Sequence, residues 1–258
     1  PARRGVRLRP APAWLTGIVR RGSRTGAGGD NAAEDPERDE TERGGRGLVI
    51  ASIVTMVAVA VLATFLLWPR TPAHVLVVGD SVTYMSFEDL RAEFDPDTDL
   101  EPYARPGYRS TDLLPLATKA IANRVDAGLP LDRAIFLVGY NDVWLDQTEH
   151  RDLEKMVAES ARFQCAIWLT LPTRPGGKPP ATGDFDPELA ERWNARLGRL
   201  VKQHKSLHLV TDWQKAIEGA PASRYLEKDG IHPNSAGQEK LAEIMHNKLQ
   251  SSCRLAGL

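Results

Sequence analysis

Three short strings, widely separated along the chain, carry the side chains of serine ester chemistry. Gly-Asp-Ser-Val-Thr stands at 79–83, Gly-Tyr-Asn-Asp at 139–142 and Asp-Gly-Ile-His-Pro at 229–233. They supply a hydroxyl, an amide donor and a carboxylate close in sequence to an imidazole. Acyl transfer through a serine ester requires this set of groups. The strings therefore predict an esterase-type enzyme.

Ser81, His232 and Asp229 have the residue types of a nucleophile, its base and the carboxylate that orients the base. A serine hydroxyl is a weak nucleophile at neutral pH, so it needs a base, and the carboxylate fixes the tautomer of that base. Asp229 and His232 would face opposite sides of a regular strand. Because Gly230 and Pro233 favour turns, the pair is predicted to lie in a turn.

Two further residues are candidates for an oxyanion hole. Negative charge develops on the carbonyl oxygen during acyl transfer, and each fixed donor aimed at it contributes about 3 to 4 kcal/mol. Asn141 can supply a side-chain N–H. Gly107, within Arg-Pro-Gly-Tyr-Arg-Ser at 105–110, has no side chain to hinder the approach of its backbone N–H.

The order and spacing of these residues resemble the SGNH hydrolases, also called GDSL esterases and lipases, which are named for four sequence blocks. The resemblance implies that Ser81 is the nucleophile and, through its backbone N–H, an oxyanion donor. It matches Gly107 to the second block and Asn141 to the third, both as oxyanion donors. Asp229 and His232 match the fourth block as acid and base.

The resemblance covers about residues 74 to 252. Its first, third and fourth blocks are specific in combination, whereas the second block rests on a single glycine. Val82 stands where the older family signature has leucine, a replacement that many members have.

Other polar residues have simpler explanations. Asp80 and Asp142 are predicted to brace their loops through hydrogen bonds and to take no part in the chemistry. The remaining histidines have no paired spacing typical of a metal site, and we expect them at the surface or in packing contacts. They are His74, His150, His204, His208 and His246. No metal and no organic cofactor is expected, because the serine mechanism needs none.

Four residues flank the predicted oxyanion donors and are candidates for substrate contact: Tyr108, Arg109, Tyr140 and Trp144. The aromatic faces are suited to stacking on a sugar ring, and Arg109 is suited to binding an anionic acyl group. Packing and ordinary surface exposure are the alternatives that the sequence leaves open.

Apolar runs alternate with helical patterns from residue 74 onward. Buried strands are predicted at 74–78, 134–138, 165–171 and 207–210. Helices are predicted after the first strand to about residue 94 and at 113–125, 152–161, 187–202 and 235–249. Such alternation predicts an α/β fold with a three-layer, doubly wound parallel sheet of the flavodoxin-like type. Ligands bind beyond the carboxyl ends of such strands, where Ser81 and Asn141 stand.

Two zones precede this domain. Residues 1–47 contain ten arginines, seven acidic residues and few large apolar side chains, so we predict a disordered cytoplasmic segment. Residues 48–68 are 21 consecutive positions without a charge. At 1.5 Å per residue this length matches the hydrocarbon core of a bilayer, which predicts one transmembrane helix.

Arginines set the orientation predicted for this span. Arg38, Arg43 and Arg46 precede it, and Arg70 alone follows nearby. The positive-inside rule places the N-terminus in the cytoplasm and the SGNH-like domain, residues 69–258, outside the cell membrane. An uncleaved signal anchor is favoured because the apolar stretch is longer than that of most signal peptides. Cleavage as a signal peptide stays open.

The net charge indicates whether the chain can bind nucleic acid, and the cysteine content indicates whether it can form a disulfide in an oxidising compartment. The formal charge is −1 for the whole chain and +3 for residues 1–47, which leaves −4 for residues 69–258. No nucleic-acid partner is therefore expected. Cys165 and Cys253 both lie in the domain predicted to be exported, where a disulfide is permitted. A disulfide and two separate thiols are both open, and the sequence carries no signal for the oligomeric state.

These observations predict a membrane-anchored, extracytoplasmic serine esterase. Its partners would be the membrane and an O-acyl ester of a cell-wall glycan, a glycolipid or a lipid. An O-acyltransferase with the same triad is the first alternative, because the resemblance includes exported domains that transfer acetyl groups. An inactive carbohydrate-binding or sensor module is the second, and the complete triad argues against it.

Overall fold

The computed structural model describes residues 56–59, 73–145, 151–175 and 185–253. The chain divides into two units, Pro1–Pro69 and Arg70–Leu258. In the first unit, residues 56–59 are helical and exposed. Within these four described stretches, no helix combines the length and the apolar character needed to cross a membrane. The predicted segment 1–47 and the predicted span 48–68, apart from 56–59, lie outside the described residues.

The second unit contains a parallel sheet with the strand order β2-β1-β3-β4-β5. The strands are β1 His74–Gly79, β2 Asp99–Ala104, β3 Arg133–Leu137, β4 Cys165–Leu169 and β5 Leu207–Val210. Every residue of β1, β3 and β4 is buried. Strands covered on both faces are continuously apolar. This explains why the sequence predicted these three strands.

Helices cover both faces of the sheet. They are α1 Ser81–Met85, α2 Phe87–Glu93, α3 Ser110–Asp126, α4 Tyr140–Trp144, α5 Arg151–Ser160, α6 Pro187–Val201, α7 Asp212–Glu218 and α8 Ser235–Ser252. On one face α8 packs against α2 and α7, and on the other α5 packs against α3 and α6. This confirms the predicted α/β fold with a doubly wound parallel sheet.

The edge strand β2 is absent from the sequence-based prediction. Only Leu100 and Ala104 of its residues are buried, and the others are partly or fully exposed. Pro102 stands within the strand, a position that only an edge strand tolerates. Because one side of β2 faces no neighbouring strand, its sequence lacks the apolar run that marks the other strands. The short helices α4 and α7 were also not predicted, because they are too short to show a helical period.

A disulfide joins the start of β4 to the end of α8. The Cα atoms of Cys165 and Cys253 are 5.5 Å apart, across a sequence separation of 88. Of the two states that the sequence left open, the structure therefore shows the bridge. It fastens the last helix to a central strand.

Replacing both cysteines by serine is expected to lower the free energy of unfolding by about 2 to 5 kcal/mol. The bridge closes a long loop, so its removal gives the unfolded chain more conformational freedom. Urea denaturation of the full chain and of the double variant measures the difference. Identical midpoints and slopes in the two proteins would show that the bridge does not stabilise the fold.

Candidate active site

The three strings identified in the sequence meet at the carboxyl-terminal edge of the sheet. Ser81 begins α1 directly after β1, and Asn141 lies in α4 directly after β3. β1 lies between β2 and β3 in the sheet, so the strand order reverses between β1 and β3. Open α/β sheets bind ligands in the crevice at such a reversal.

Ser81, His232 and Asp229 form a continuous hydrogen-bonded chain. Ser81 Oγ lies 2.9 Å from His232 Nε2, and His232 Nδ1 lies 2.7 Å from Asp229 Oδ2. With the proton of the neutral ring on Nδ1, this nitrogen donates to Asp229 and leaves Nε2 to accept the Ser81 hydroxyl proton. All three residues are half-buried, so a substrate can reach them. The geometry suits a serine nucleophile with its base and orienting carboxylate.

A tight turn presents Asp229 and His232 on the same side, as the sequence predicted. Asp229 Oδ1 accepts the N–H of Ile231 at 2.8 Å and the N–H of His232 at 3.0 Å. The Glu227 N–H donates to the His232 carbonyl oxygen at 2.8 Å. Gly230 has φ 74°, a conformation that glycine adopts without strain. The turn therefore holds the carboxylate and the imidazole in fixed positions.

The same contacts set the pKa of Asp229. Partial burial raises this pKa, but the hydrogen bonds from the His232 ring and from the Ile231 and His232 N–H groups outweigh it, so the pKa lies below its ordinary value. Asp229 is therefore a carboxylate at neutral pH and can stabilise an imidazolium on His232. The linked contribution to stability is present above the unfolded-state pKa and is lost as the pH falls through the lower folded-state pKa.

Three donors are available to an oxyanion: one at the start of α1, one in α4 and one in the turn before α3. Among the described residues, the backbone N–H groups of Ser81 and Gly107 donate to no protein acceptor. Asn141 Nδ2 donates one of its hydrogens to the Tyr108 carbonyl oxygen at 2.9 Å. This bond orients the amide and leaves its second N–H for a ligand.

Gly107 occupies a β-turn whose geometry explains its residue type. The Tyr108 N–H donates to the Arg105 carbonyl oxygen at 3.3 Å, and Gly107 has φ 77°. Pro106 followed by a left-handed residue is typical of a type II turn. A Cβ on Gly107 would meet no atom within 4 Å, but a side chain would strain the backbone. Conformation therefore explains the glycine here, whereas the sequence suggested a need for space.

Asp80 and Asp142 brace their loops, as predicted. Asp80 Oδ1 accepts the Val82 N–H at 3.1 Å, and its Oδ2 accepts the Tyr140 N–H at 3.3 Å. Asp142 accepts the backbone N–H of Ser110 at 2.9 Å and the Ser110 hydroxyl at 2.5 Å. Both carboxyl groups are buried. Each links its own loop to a second loop of the site.

Burial raises the pKa of Asp80 to about 7, and the charge of Asp142 adds to this, while the N–H groups of Val82 and Tyr140 oppose it. The pKa of an aspartate in an unfolded chain is about 3.9. Between these two values the folded protein holds a proton that the unfolded chain has lost. This contribution to stability is therefore lost as the pH rises through the folded-state pKa.

The Asp80→Asn variant is expected to lose less stability than the wild type when the pH rises from about 5 to about 8. Asparagine does not titrate, so the contribution of Asp80 to the pH dependence disappears. Burial also raises the pKa of Asp142, and that contribution, of the same sign, remains in the variant. Urea denaturation of both proteins at the two pH values measures the difference. An equal loss in both would contradict the prediction.

The structure separates the residues predicted to contact substrate. Tyr108 is 40% exposed, and its carbonyl oxygen binds Asn141. Arg109 Nε lies 3.2 Å from Asp112 Oδ2, so its charge is partly neutralised by the first turn of α3, which it precedes. Trp144 is half-buried and packs against the core. Of these three side chains, Tyr108 is the most accessible to a ligand.

The structure corrects the expectation for Tyr140. Its side chain is 4% exposed, and its hydroxyl accepts a hydrogen bond from Trp213 Nε1 at 2.9 Å. Tyr140 is therefore a packing residue. Conversely, the sequence-based prediction did not include Tyr84, which is 54% exposed and lies one helical turn after Ser81 in α1, where a ligand at Ser81 can reach it. The spacing of three residues from the nucleophile was the signal that could have identified it.

Among the described residues, the remaining histidines take no part in the site. His74 is buried, and its Nε2 lies 3.0 Å from Glu101 Oε2 on β2. The ring of His246 packs edge-on against Phe94, with centroids 4.9 Å apart. His204 and His208 are half-buried, and His150 lies outside the described residues.

Two solved structures show the fold similarity of this chain to known proteins. The lipase/acylhydrolase from Enterococcus faecalis has 19% sequence identity and a TM-score of 0.56, over 72% of this chain and 100% of that chain. The C-terminal catalytic domain of peptidoglycan O-acetyltransferase A (OatA) from Streptococcus pneumoniae, with a methylsulfonyl adduct, has 16% identity and a TM-score of 0.52. That match covers 71% of this chain and 96% of that chain. At these identities the similarity shows a common fold.

Sequence comparisons give the family. No curated protein matches the chain. The GDSL-like Lipase/Acylhydrolase family matches residues 77–240, which include every residue of the triad and of the oxyanion donor set. Because this match covers more than half of the chain and agrees with the geometry of the site, the chain belongs to the GDSL-like lipase/acylhydrolase family.

Proposed function

We propose that the chain is a serine esterase that hydrolyses an O-acyl ester through an acyl-enzyme on Ser81. The observation that carries this proposal is the hydrogen-bonded chain from Asp229 through His232 to Ser81, with distances of 2.7 and 2.9 Å. Membership of a family of acylhydrolases supports the same chemistry.

The proposed reaction has two halves. As Ser81 Oγ attacks the ester carbonyl, His232 Nε2 takes the hydroxyl proton and Asp229 stabilises the imidazolium. The oxyanion accepts hydrogen bonds from Ser81 N–H, Gly107 N–H and Asn141 Nδ2. His232 then protonates the leaving alcohol, and the acyl group stays on Ser81. Water, deprotonated by His232, attacks the acyl-enzyme, and His232 returns the proton to Ser81 as the acid leaves.

A cell-wall polysaccharide or a glycolipid is the substrate class we favour. Two exposed aromatic residues belong to the segments that form the site: Tyr84, one turn after Ser81, and Tyr108, whose carbonyl oxygen accepts a hydrogen bond from Asn141. Their faces can stack on the sugar that carries the ester. A simple lipid ester is the competing substrate class.

An acyltransferase is the second candidate function, and one observation favours it. OatA, which has this fold, is a peptidoglycan O-acetyltransferase. The same triad would form the same acyl-enzyme, and a sugar hydroxyl would replace water in the second half of the reaction. The two functions therefore differ in the acceptor and share the first half.

One experiment tests both functions. The purified full chain is incubated with a chromogenic short-chain acyl ester, with and without a wall oligosaccharide as acceptor, and the products are separated by mass spectrometry. Hydrolysis predicts free acid in both reactions, whereas transfer predicts acylated oligosaccharide. Labelling of Ser81 by a fluorophosphonate distinguishes either enzyme from an inactive binding module. An unlabelled serine together with no turnover would refute the proposed function.

We also propose that the catalytic domain is anchored outside the cytoplasm by a single transmembrane helix at residues 48–68. The uncharged length of this segment and the arginines before it support the proposal. The bridge between Cys165 and Cys253 agrees with an oxidising compartment. Protease added to spheroplasts should digest the catalytic domain while a cytoplasmic marker stays intact. Protection of the domain would contradict this location.

A further inference from the structure

The three oxyanion donors lie on separate segments of the chain. Contacts between these segments must hold the donors at a fixed distance from one another. The last ladder pair between the two strands that carry Ser81 and Asn141 is Gly79 with Leu137. Beyond it, in the part of the chain that the structure describes, no backbone–backbone hydrogen bond joins residues 80–82 (the Ser81 loop, which leads into α1) to residues 138–142 (the Asn141 loop, which leads into α4). Side chains must therefore set the distance between these donors.

Asp80 joins the two loops directly. Its Oδ1 accepts the Val82 N–H and its Oδ2 accepts the Tyr140 N–H. Val82 follows Ser81 in the chain, and Tyr140 precedes Asn141. One carboxylate therefore holds the backbone immediately next to both donor residues.

Asp142 extends the connection to the third donor. It accepts two hydrogen bonds from Ser110, at the start of α3. The neighbouring Asn141 binds the carbonyl oxygen of Tyr108, which follows Gly107. The loops of Ser81, Asn141 and Gly107 are thus linked in series, and Asp80 is the link between the first two.

A buried aspartate at position 80 is costly for stability, but its two carboxylate oxygens suit it to holding the backbone next to both donor residues. Asp80 is 0% exposed, and an isolated buried carboxylate is strongly disfavoured. Above its pKa of about 7, Asp80 is a carboxylate with two acceptor oxygens and no donor, so at pH 8 it can accept from Val82 and Tyr140 together. An asparagine can accept from one of them only, because its NH₂ group would face the N–H of the other.

We propose that Asp80 is a positioning residue that sets the separation of the Ser81 and Asn141 oxyanion donors through its two carboxylate oxygens. The inference rests on the proposed esterase function and goes beyond it, because Asp80 touches neither the substrate nor the reacting atoms. Its effect on catalysis is confined to the transition state, in which the oxyanion needs both donors at once.

The Asp80→Asn variant of the full chain is expected to have a kcat lower by about tenfold to a hundredfold for a short-chain acyl ester, with little change in KM. Asp80→Ser should give a similar loss, because serine keeps a helix cap for Val82 but is too short to reach Tyr140. Thr83→Val is the matched control. Thr83 is buried in the same helix and donates to the Leu137 carbonyl oxygen, so this variant should keep its kcat.

A double-mutant cycle with Asn141→Ala separates positioning from general destabilisation. If Asp80 acts by placing the Asn141 amide, then Asp80→Asn should lower kcat much less in the Asn141→Ala background than in the wild type. The affinity for a boronic acid, which forms a tetrahedral adduct on Ser81, should fall in parallel with kcat. The affinity for the product carboxylate should not change.

The experiments distinguish a failure of the proposed role of Asp80 from a failure of the proposed esterase function. A kcat within about twofold of the wild type in both Asp80 variants, or a cycle in which the two losses multiply independently, would overturn the role of Asp80. Either result would leave the proposed function intact, because the wild type would still turn over the ester. A wild type without turnover would instead remove the esterase function and this inference together.

Discussion

Replacing Ser81 by alanine is expected to lower kcat for a short-chain acyl ester by about 10⁴- to 10⁶-fold. The variant lacks the oxygen that forms the acyl-enzyme. The remaining catalysis is stabilisation by the oxyanion donors when water attacks the ester directly. The measurement is the hydrolysis rate of purified wild type and variant, with the variant showing no label after fluorophosphonate treatment. The free energy of unfolding should change little, because Ser81 is half-buried and its hydroxyl binds only His232 among the described residues.

The His232→Ala variant should show a loss of similar size, and the double variant should be no slower than either single variant. Serine and histidine act as one unit, so their effects do not multiply. If Ser81→Ala retained the wild-type rate, the nucleophile would have to be another group. The proposed function would then be wrong.

Replacing Asn141 by alanine is expected to lower kcat by about 10²- to 10³-fold while KM changes little. The amide is held by the Tyr108 carbonyl oxygen at 2.9 Å, so its second N–H is fixed before the substrate arrives. A fixed donor stabilises the oxyanion in the transition state more than the ester carbonyl in the ground state. Steady-state kinetics with the same acyl ester give kcat and KM separately.

Asn123→Ala is the matched control for this substitution. Asn123 is exposed and lies in the last turn of α3, at the opposite end of this helix from Ser110 and away from the edge where Ser81 stands. Its replacement should leave kcat unchanged. A loss below about threefold in Asn141→Ala would assign the oxyanion to the backbone N–H groups alone.

The residues that define the site were predicted from the sequence because each one stands in a short string next to a buried strand or a turn. Ser81 and Asn141 directly follow apolar runs, so a parallel sheet brings both to one edge. Asp229 and His232 lie in a turn that Gly230 makes possible. Here chain order and residue type were sufficient, because the contacts within each string are local.

The contacts of Asp80 and the burial of Tyr140 depend on residues far apart in the chain. Only the structure could show them. The two oxygens of Asp80 find their partners 2 and 60 residues away. Tyr140, next to the donor Asn141, turns inward to Trp213, which is 73 residues away. Periodicity cannot reveal which face of a short helix is buried when the partner is so distant.

The sequence by itself determined the residues of the candidate site and the class of fold: a serine, a histidine and a carboxylate in ordered strings, with short apolar runs typical of buried strands. The tertiary structure decided the position of the edge strand β2, the bridge between Cys165 and Cys253 and the buried carboxyl groups that hold the loops together. The physical reason is the range of the interaction. Local hydrogen bonds and hydrophobic periods are written in neighbouring residues, whereas burial and loop-to-loop contacts exist only after the chain has folded.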